Sequence, residues 1–236
     1  MPRYTNIYDI VLSCPTDVQH EREVIENVLK DFNKTIGVGL GITLNLKHWT
    51  TDSYSQSGGT AQSLLNDQFI NDSDMIICIF WGRMGTPTED YESGTAEEML
   101  KAISDGKQVF LYFSNISIAP DKTDTSQLEQ VKSFEKKIQA LGLQYYKRYD
   151  DLEDFKSKIT LDLNLYFLQA QKLKKEKSSK IQSNLLVSGI QNKNIDNHIS
   201  FEYPFQKFQD FISEKERGIS ELTKIVQEID ISATIN

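Results

Sequence analysis

Cysteine is scarce in this chain, with two residues, Cys14 and Cys78, in 236. Each sits in or at the end of an apolar, strand-like run, so no disulfide framework is expected and a reducing, cytoplasmic location fits. Histidine is nearly as rare, with three scattered residues. So few His and Cys give no metal-ligand spacing, and no metal is expected. No apolar run approaches the ~20 residues of a membrane span, and Met1-Pro-Arg-Tyr4 lacks the apolar segment of a signal peptide. Contact with a membrane is therefore not expected. Basic residues are outnumbered, 26 Lys and Arg against 34 Asp and Glu, for a net charge of -8. That balance argues against direct nucleic-acid binding, which needs clustered basic surface. What is present is 39% hydrophobic and 25% charged residues, enough for a real core with an ordinary surface. The length allows one large domain, or one ordinary domain with an appendage.

Strand-like and helix-like segments alternate along the chain. Ile7 to Ser13 reads as a buried strand that stops at Cys14-Pro15. Thr16 with Gln19 matches a capping box, which predicts a helix starting there, with Val18, Ile25, Val28, Leu29 and Phe32 as its apolar stripe. Glycines 37, 39 and 41 then break the pattern before a second strand, Ile42 to Trp49. A polar loop, Thr50 to Gly59, leads to a helix carried by Ala61, Leu64, Leu65, Phe69 and Ile70. Met75 to Trp81 is almost wholly apolar, as a central parallel strand covered on both faces should be. A helix over about Thr95 to Ser104, a strand at Val109 to Phe113, and a helix from Leu128 to Gly142 follow. A short fifth strand is predicted at Leu143 to Tyr146, and a long helix from Leu152 to about Leu173. This alternation predicts an α/β fold, a flavodoxin-like doubly wound parallel sheet of about five strands. After Leu173 the composition shifts. Residues 1–173 are read as the α/β domain, 174–200 as a linker, and 201–236 as a mainly helical extension, whose stripe from Phe201 to Ile229 needs a surface to bury against.

In such a sheet ligands bind beyond the carboxyl ends of the strands, at the switch point between the first and third. Ser13, Trp49, Trp81 and Ser114 are placed at that edge. Downstream of Trp81 comes a glycine-punctuated loop and then a helix that opens with Glu97 and Glu98. A carboxylate there can face the crevice, and Glu98 is the favoured catalytic candidate. Cleavage of an N-glycosidic bond passes through an oxocarbenium-like transition state, which a carboxylate can stabilise or attack. The alternative reading is that both glutamates merely favour the positive end of the helix dipole, a gain of ~0.3–1 kcal/mol. Trp81 and Trp49 are candidates to stack on a base, or else cap the core. Gly82 and Arg83 follow Trp81, and Arg83 could hold phosphates by its fork of donors. Ser13, Cys14, Pro15 and the amides up to Asp17 form a strand-to-helix turn suited to an anion. Arg22 reads as an exposed ion pair with Glu26. Cys14 lacks a histidine base, and neither a P-loop nor Gly-x-Gly-x-x-Gly is present.

Taken together, Ser13-Cys-Pro-Thr-Asp-Val18, Glu21-Arg-Glu23, Trp49-Thr-Thr-Asp52, Gln62 with Gln68, Ser73 to Pro87, Glu92 to Glu98 and Gly106-Lys-Gln-Val109 resemble prokaryotic TIR-like domains. These are relatives of the Toll/interleukin-1 receptor domain, many of them in anti-phage defence. The resemblance covers roughly residues 5 to 170. It implies cleavage of NAD at its nicotinamide–ribose bond, giving ADP-ribose or a cyclic ADP-ribose-type signal. NAD is then substrate, and no cofactor is implied. It maps the catalytic glutamate to Glu98. The same helix in nucleoside deoxyribosyltransferases carries a nucleophilic glutamate four residues before an alanine, the spacing of Glu98 and Ala102. The Trp-Cys usual before the TIR glutamate is replaced here by Gly94-Thr-Ala96. The resemblance also implies self-association and a second effector or sensor protein as partner. A nucleoside or nucleotide N-glycosidase, and a non-catalytic nucleotide-binding or assembly module, are the alternatives.

Overall fold

The computed structural model describes residues 4–89, 91–142 and 145–188, with Lys122, Leu141 and residues 174–188 described by their backbone alone. Strands β1 (Asn6–Ser13), β2 (Ile42–Lys47), β3 (Met75–Phe80), β4 (Gln108–Ser114) and β5 (Tyr146–Tyr149) form one sheet in the order β2-β1-β3-β4-β5. Every pairing is parallel. The architecture is therefore the expected flavodoxin-like α/β sheet, with its switch point between β1 and β3. Helices α1 (His20–Lys34), α2 (Ile36–Leu40), α3 (Trp49–Asp52), α4 (Ala61–Leu65), α5 (Gly94–Ser104), α6 (Thr125–Leu141) and α7 (Leu152–Ser188) connect and cover it.

Two apolar layers hold the sheet, and side-chain alternation sorts the strands between them. Ile10 and Leu12 of β1 and Met75, Ile77 and Ile79 of β3 join Ile25, Leu29 and Phe32 of α1 and Phe155, Ile159 and Leu163 of α7. On the other face Val11, Ile76, Cys78 and Phe80 meet Met99 and Ala102 of α5, and Phe134 and Ile138 of α6. The β3 strand is buried along its whole length, which explains its near-continuous apolar sequence. Helix α4 runs into a π turn (Asn66–Ile70), closed by the Asn71 N–H donating to the Asn66 carbonyl at 3.1 Å. Lys107, at the entry to β4, donates from Nζ to the carbonyls of Ile70, Asn71 and Ser73 and ties that turn down.

Four local expectations are corrected. Helix α1 starts at His20, not at Thr16, and has no side-chain cap. The Val18 N–H instead closes a turn on the Pro15 carbonyl at 3.3 Å, and Asp17 turns to the Gly82 N–H. Strand β2 ends at Lys47, and Trp49 begins the short α3, capped by the His48 side chain accepting from the Thr50 N–H. The fifth strand lies at Tyr146–Tyr149 rather than at 143–146, after Gly142 ends α6 in the left-handed conformation (φ 60). Among its four side chains only Tyr149 is buried, so the strand has little apolar signal. Helix α7 continues through the lysine-rich 172–180 segment to Ser188. The remainder of the expected linker and the expected extension at 201–236 lie outside the described residues.

Candidate active site

Glu98 stands in the second turn of α5, a helix whose N-cap, the fully buried Ser93, accepts from the Ala96 N–H at 3.2 Å. Both oxygens of its carboxylate have a donor. Ser13 Oγ donates to Oε2 at 2.5 Å, and Gln62 Nε2 donates to Oε1 at 2.9 Å. Ser13 follows Val11 by two residues, so alternation turns it to the α5 face of the sheet, where it is 1% exposed. Gln62 in turn donates to Asn66 Oδ1 at 3.1 Å, and Asn66 Nδ2 donates to Glu97 Oε1 at 2.7 Å. The two adjacent glutamates are thus held at opposite ends of one amide relay.

Burial pushes the Glu98 pKa above the ordinary glutamate value, and the nearby Glu97 charge adds to this. The bonds from Ser13 and Gln62 act the other way, because both donors favour the ionised form. Gly94 is what lets Gln62 in. A Cβ at residue 94 would lie 2.4 Å from Gln62 Oε1.

The carboxylate faces a cavity of about 390 Å³ at the carboxyl edge of the sheet, between the β1–α1 turn, α3, α4 and the N-termini of α5 and α6. Of the residues read from sequence, Cys14, Pro15, Trp49, Arg83 and Glu98 line it. Trp49 is 44% exposed, and Arg83 is exposed as well. Cys14 points its Sγ at the Val18 carbonyl (3.8 Å), and burial is the largest of the effects that push its thiol up to about 12. It is therefore poorly suited to nucleophilic work, since the thiolate is the reactive form. Ser13 acts from below, through Glu98.

Asp17, Gly82 and Trp81 are not among the lining residues. Asp17 accepts from the Gly82 N–H at 2.9 Å, joining the β1–α1 turn to the loop after β3. Its pKa is raised, mainly by burial. Trp81 continues the odd-numbered face of β3 into the layer under α1 and α7, and its Nε1 donates to the Ile116 carbonyl at 2.7 Å. It caps the core rather than the cavity.

Gln62, quoted from the sequence only for the resemblance and given no role, also lines the cavity, as do Asp124 and Gln127, which the sequence did not single out. Asp124 caps α6 by accepting from the Gln127 N–H at 3.1 Å. Gln127 Oε1 accepts from the N–H groups of Met84 and Gly85 at 2.9 and 3.2 Å and so anchors the loop after β3. Arg22 pairs with Glu26 as expected, at 2.9 Å, and also reaches His48 Nδ1 and Thr50 Oγ1 at 3.1 and 2.8 Å. That contact fixes α3, and with it Trp49. Among the described residues no group of three or more His, Cys, Asp and Glu is arranged to hold a metal ion. No helix among them is long and apolar enough to cross a membrane.

The family model of a domain of unknown function, DUF4062, matches residues 11–164, a span that contains every residue of the cavity. The chain belongs to the DUF4062 family. It is this family, and not the TIR family suggested by the motifs, that the sequence is shown to match. No curated protein matches the DUF4062 chain. Among solved structures, it is similar to the CMP N-glycosidase BcmB of Clostridium botulinum, with 16% identity and a TM-score of 0.35 over 65% of this chain and 98% of that one. Translation elongation factor SelB of Methanococcus maripaludis gives 15% and 0.37, over 68% of this chain and 35% of its own. A short-chain flavodoxin associated with a bacterial microcompartment gives 12% and 0.29, over 64% and 92%. Likenesses this distant say nothing of what the DUF4062 domain acts on.

Proposed function

We propose that this domain is an N-glycosidase that cleaves the bond between a ribosyl group and its base, with Glu98 as the reacting carboxylate. The observation that carries the proposal is the position of Glu98 on the wall of the 390 Å³ cavity, each oxygen held by a separate donor. Two donors aimed at a carboxylate favour its anion and fix its direction. That is what a group needs if it is to stabilise positive charge developing at C1′, or to attack it. In the reaction the C1′–N bond breaks and its electron pair leaves with the base. Water supplies the hydroxyl that joins C1′, and its proton passes to the base or to solvent. The burial that raises the Glu98 pKa sets the acidic limb of the activity profile above the ordinary glutamate range.

NAD, with nicotinamide as the leaving group, is the substrate implied by the TIR-like motifs, and a nucleoside or nucleotide is the other. The test follows free base by chromatography from NAD, CMP and a nucleoside panel, with the protein both dilute and concentrated so that self-assembly is covered. Glu98→Gln keeps the shape of the side chain and removes its charge. It is expected to lower base release by at least ~10³-fold while leaving the circular-dichroism spectrum unchanged. Undiminished release in that variant would refute the assignment.

A further inference from the structure

We infer that Gln127 is a substrate-binding residue, whose side-chain Nε2 donates a hydrogen bond to an acceptor oxygen of the ligand in the Glu98 cavity. The inference rests on the proposed function for the identity of the ligand, but on separate residues for the contact.

The spacing Asp124-Thr-Ser-Gln127 is that of a capping box, in which the fourth residue reaches back to the N–H of the first. Asp124 keeps its half of that arrangement, accepting from the Gln127 N–H. Gln127 does not keep the other half. Its Oε1 crosses to the loop after β3 and accepts from the Met84 and Gly85 N–H groups. Both partners are donors, so the amide orientation is fixed: oxygen toward the loop, nitrogen away from it. The Nε2 group has no partner among the described residues. Gln127 is half-buried and lines the same cavity as Glu98.

A fixed amide whose acceptor is used twice and whose donors are unused is a device for recognising an acceptor. Glu98 supplies charge to the cavity and has both its oxygens occupied. Gln127 supplies a donor at a place set by the loop it anchors. The acceptor on the ligand is a base carbonyl, a ribose hydroxyl or a phosphate oxygen.

Gln127→Glu separates the two roles of the side chain. A carboxylate can still accept from Met84 and Gly85 and hold the loop, but it cannot donate. Binding is measured by calorimetry in the Glu98→Gln background, where the probes persist, with uridine, 2′-deoxyuridine, uridine 5′-monophosphate and ribose 5-phosphate. The expected result is binding at least roughly tenfold weaker in Gln127→Glu than in the parent, with the melting temperature unchanged. A loss shared by both nucleosides but absent for ribose 5-phosphate identifies the base carbonyl, and a loss absent for the deoxy probe identifies the 2′-hydroxyl. A larger loss for the two phosphorylated probes identifies the phosphate only where it recurs in the uncharged Gln127→Met variant, since the new carboxylate of Gln127→Glu repels a phosphate anywhere in the cavity. Equal affinity of the variant and its parent for every probe would overturn the inference and leave the proposed function standing. Failure of the parent to bind any of these probes, or NAD titrated beside them, would overturn both.

Discussion

In Gly94→Ala the new Cβ would stand 2.4 Å from Gln62 Oε1 and 3.0 Å from its Cδ, where ordinary contact begins near 3.4 Å. The Gln62 amide must therefore retreat by about 1 Å (3.4 − 2.4). Such a flexible end can move cheaply, but its retreat breaks the 2.9 Å bond to Glu98. A hydrogen bond to a charged group contributes ~1.5–3 kcal/mol, and alanine in place of glycine returns at most ~1 kcal/mol of helix propensity. The net loss is about 0.5–2 kcal/mol, or roughly 1–8 °C in melting temperature for a domain of this size. The effect on base release is larger, because a ~1 Å misplacement of a reacting group costs on the order of 10²-fold. The acidic limb of the pH profile also shifts upward, since a donor that favours ionised Glu98 has gone. Thermal melting and a pH–rate profile read the two effects separately. In a Gln62→Ala background the methyl added by Gly94→Ala meets no amide, so the second substitution should add no further loss of activity. Full activity with an unmoved profile in Gly94→Ala would refute the argument that Gly94 and Gln62 position the carboxylate.

Two further predictions concern the frame of the site. Tyr149, fully buried, donates from its hydroxyl to the buried Glu21 at 2.7 Å. Tyr149→Phe leaves that carboxylate without this donor and is expected to cost ~1.5–3 kcal/mol, a fall of roughly 3–12 °C in melting temperature. An unchanged melting temperature would count against the bond. His48 Nδ1 accepts from the Thr50 N–H and from Arg22 and so carries no proton, and burial followed by the Arg22 charge lowers its pKa. Its contribution to stability is therefore present above the unfolded value of ~6.5 and is lost as pH falls through the lowered folded value. Acid should loosen α3 and shift Trp49 fluorescence, and His48→Asn, which caps without titrating, should remove that shift. An identical acid response in the two proteins would rule out His48 as its origin.

Much of this was legible because β3 is buried on both faces and declares itself by an unbroken apolar run. The strand, the loop and the helix after it place Glu98 at the carboxyl edge on sequence alone. Alternation would also have removed Trp81, which shares the face of Met75, Ile77 and Ile79 and so belongs under α1 and α7. Other features depend on contacts that no local pattern encodes. Gln127 carries a capping-box spacing yet bonds a loop more than 40 residues away in sequence. The β5 strand, a polar edge segment, is fixed by its register with Leu111–Ser114 rather than by its own side chains. The Asp17 carboxylate turns to the Gly82 N–H, so the helix predicted at Thr16 waits until His20.

The π turn at Asn66–Ile70 has a consequence for how the site and the core are phased. In an unbroken α-helix residues 62 and 69 lie seven positions apart, on nearly the same face. Gln62 would then follow Phe69 and Ile70 toward the apolar layer. One extra residue in the turn rotates everything before it by roughly 100° relative to what comes after. The segment therefore satisfies two masters: Phe69 and Ile70 are buried against the sheet, while Gln62 and Asn66 link the two glutamates. The length of this segment, counted to a single residue, thus sets the angle between the Gln62 amide that meets the carboxylate and the Phe69 and Ile70 side chains that meet the sheet.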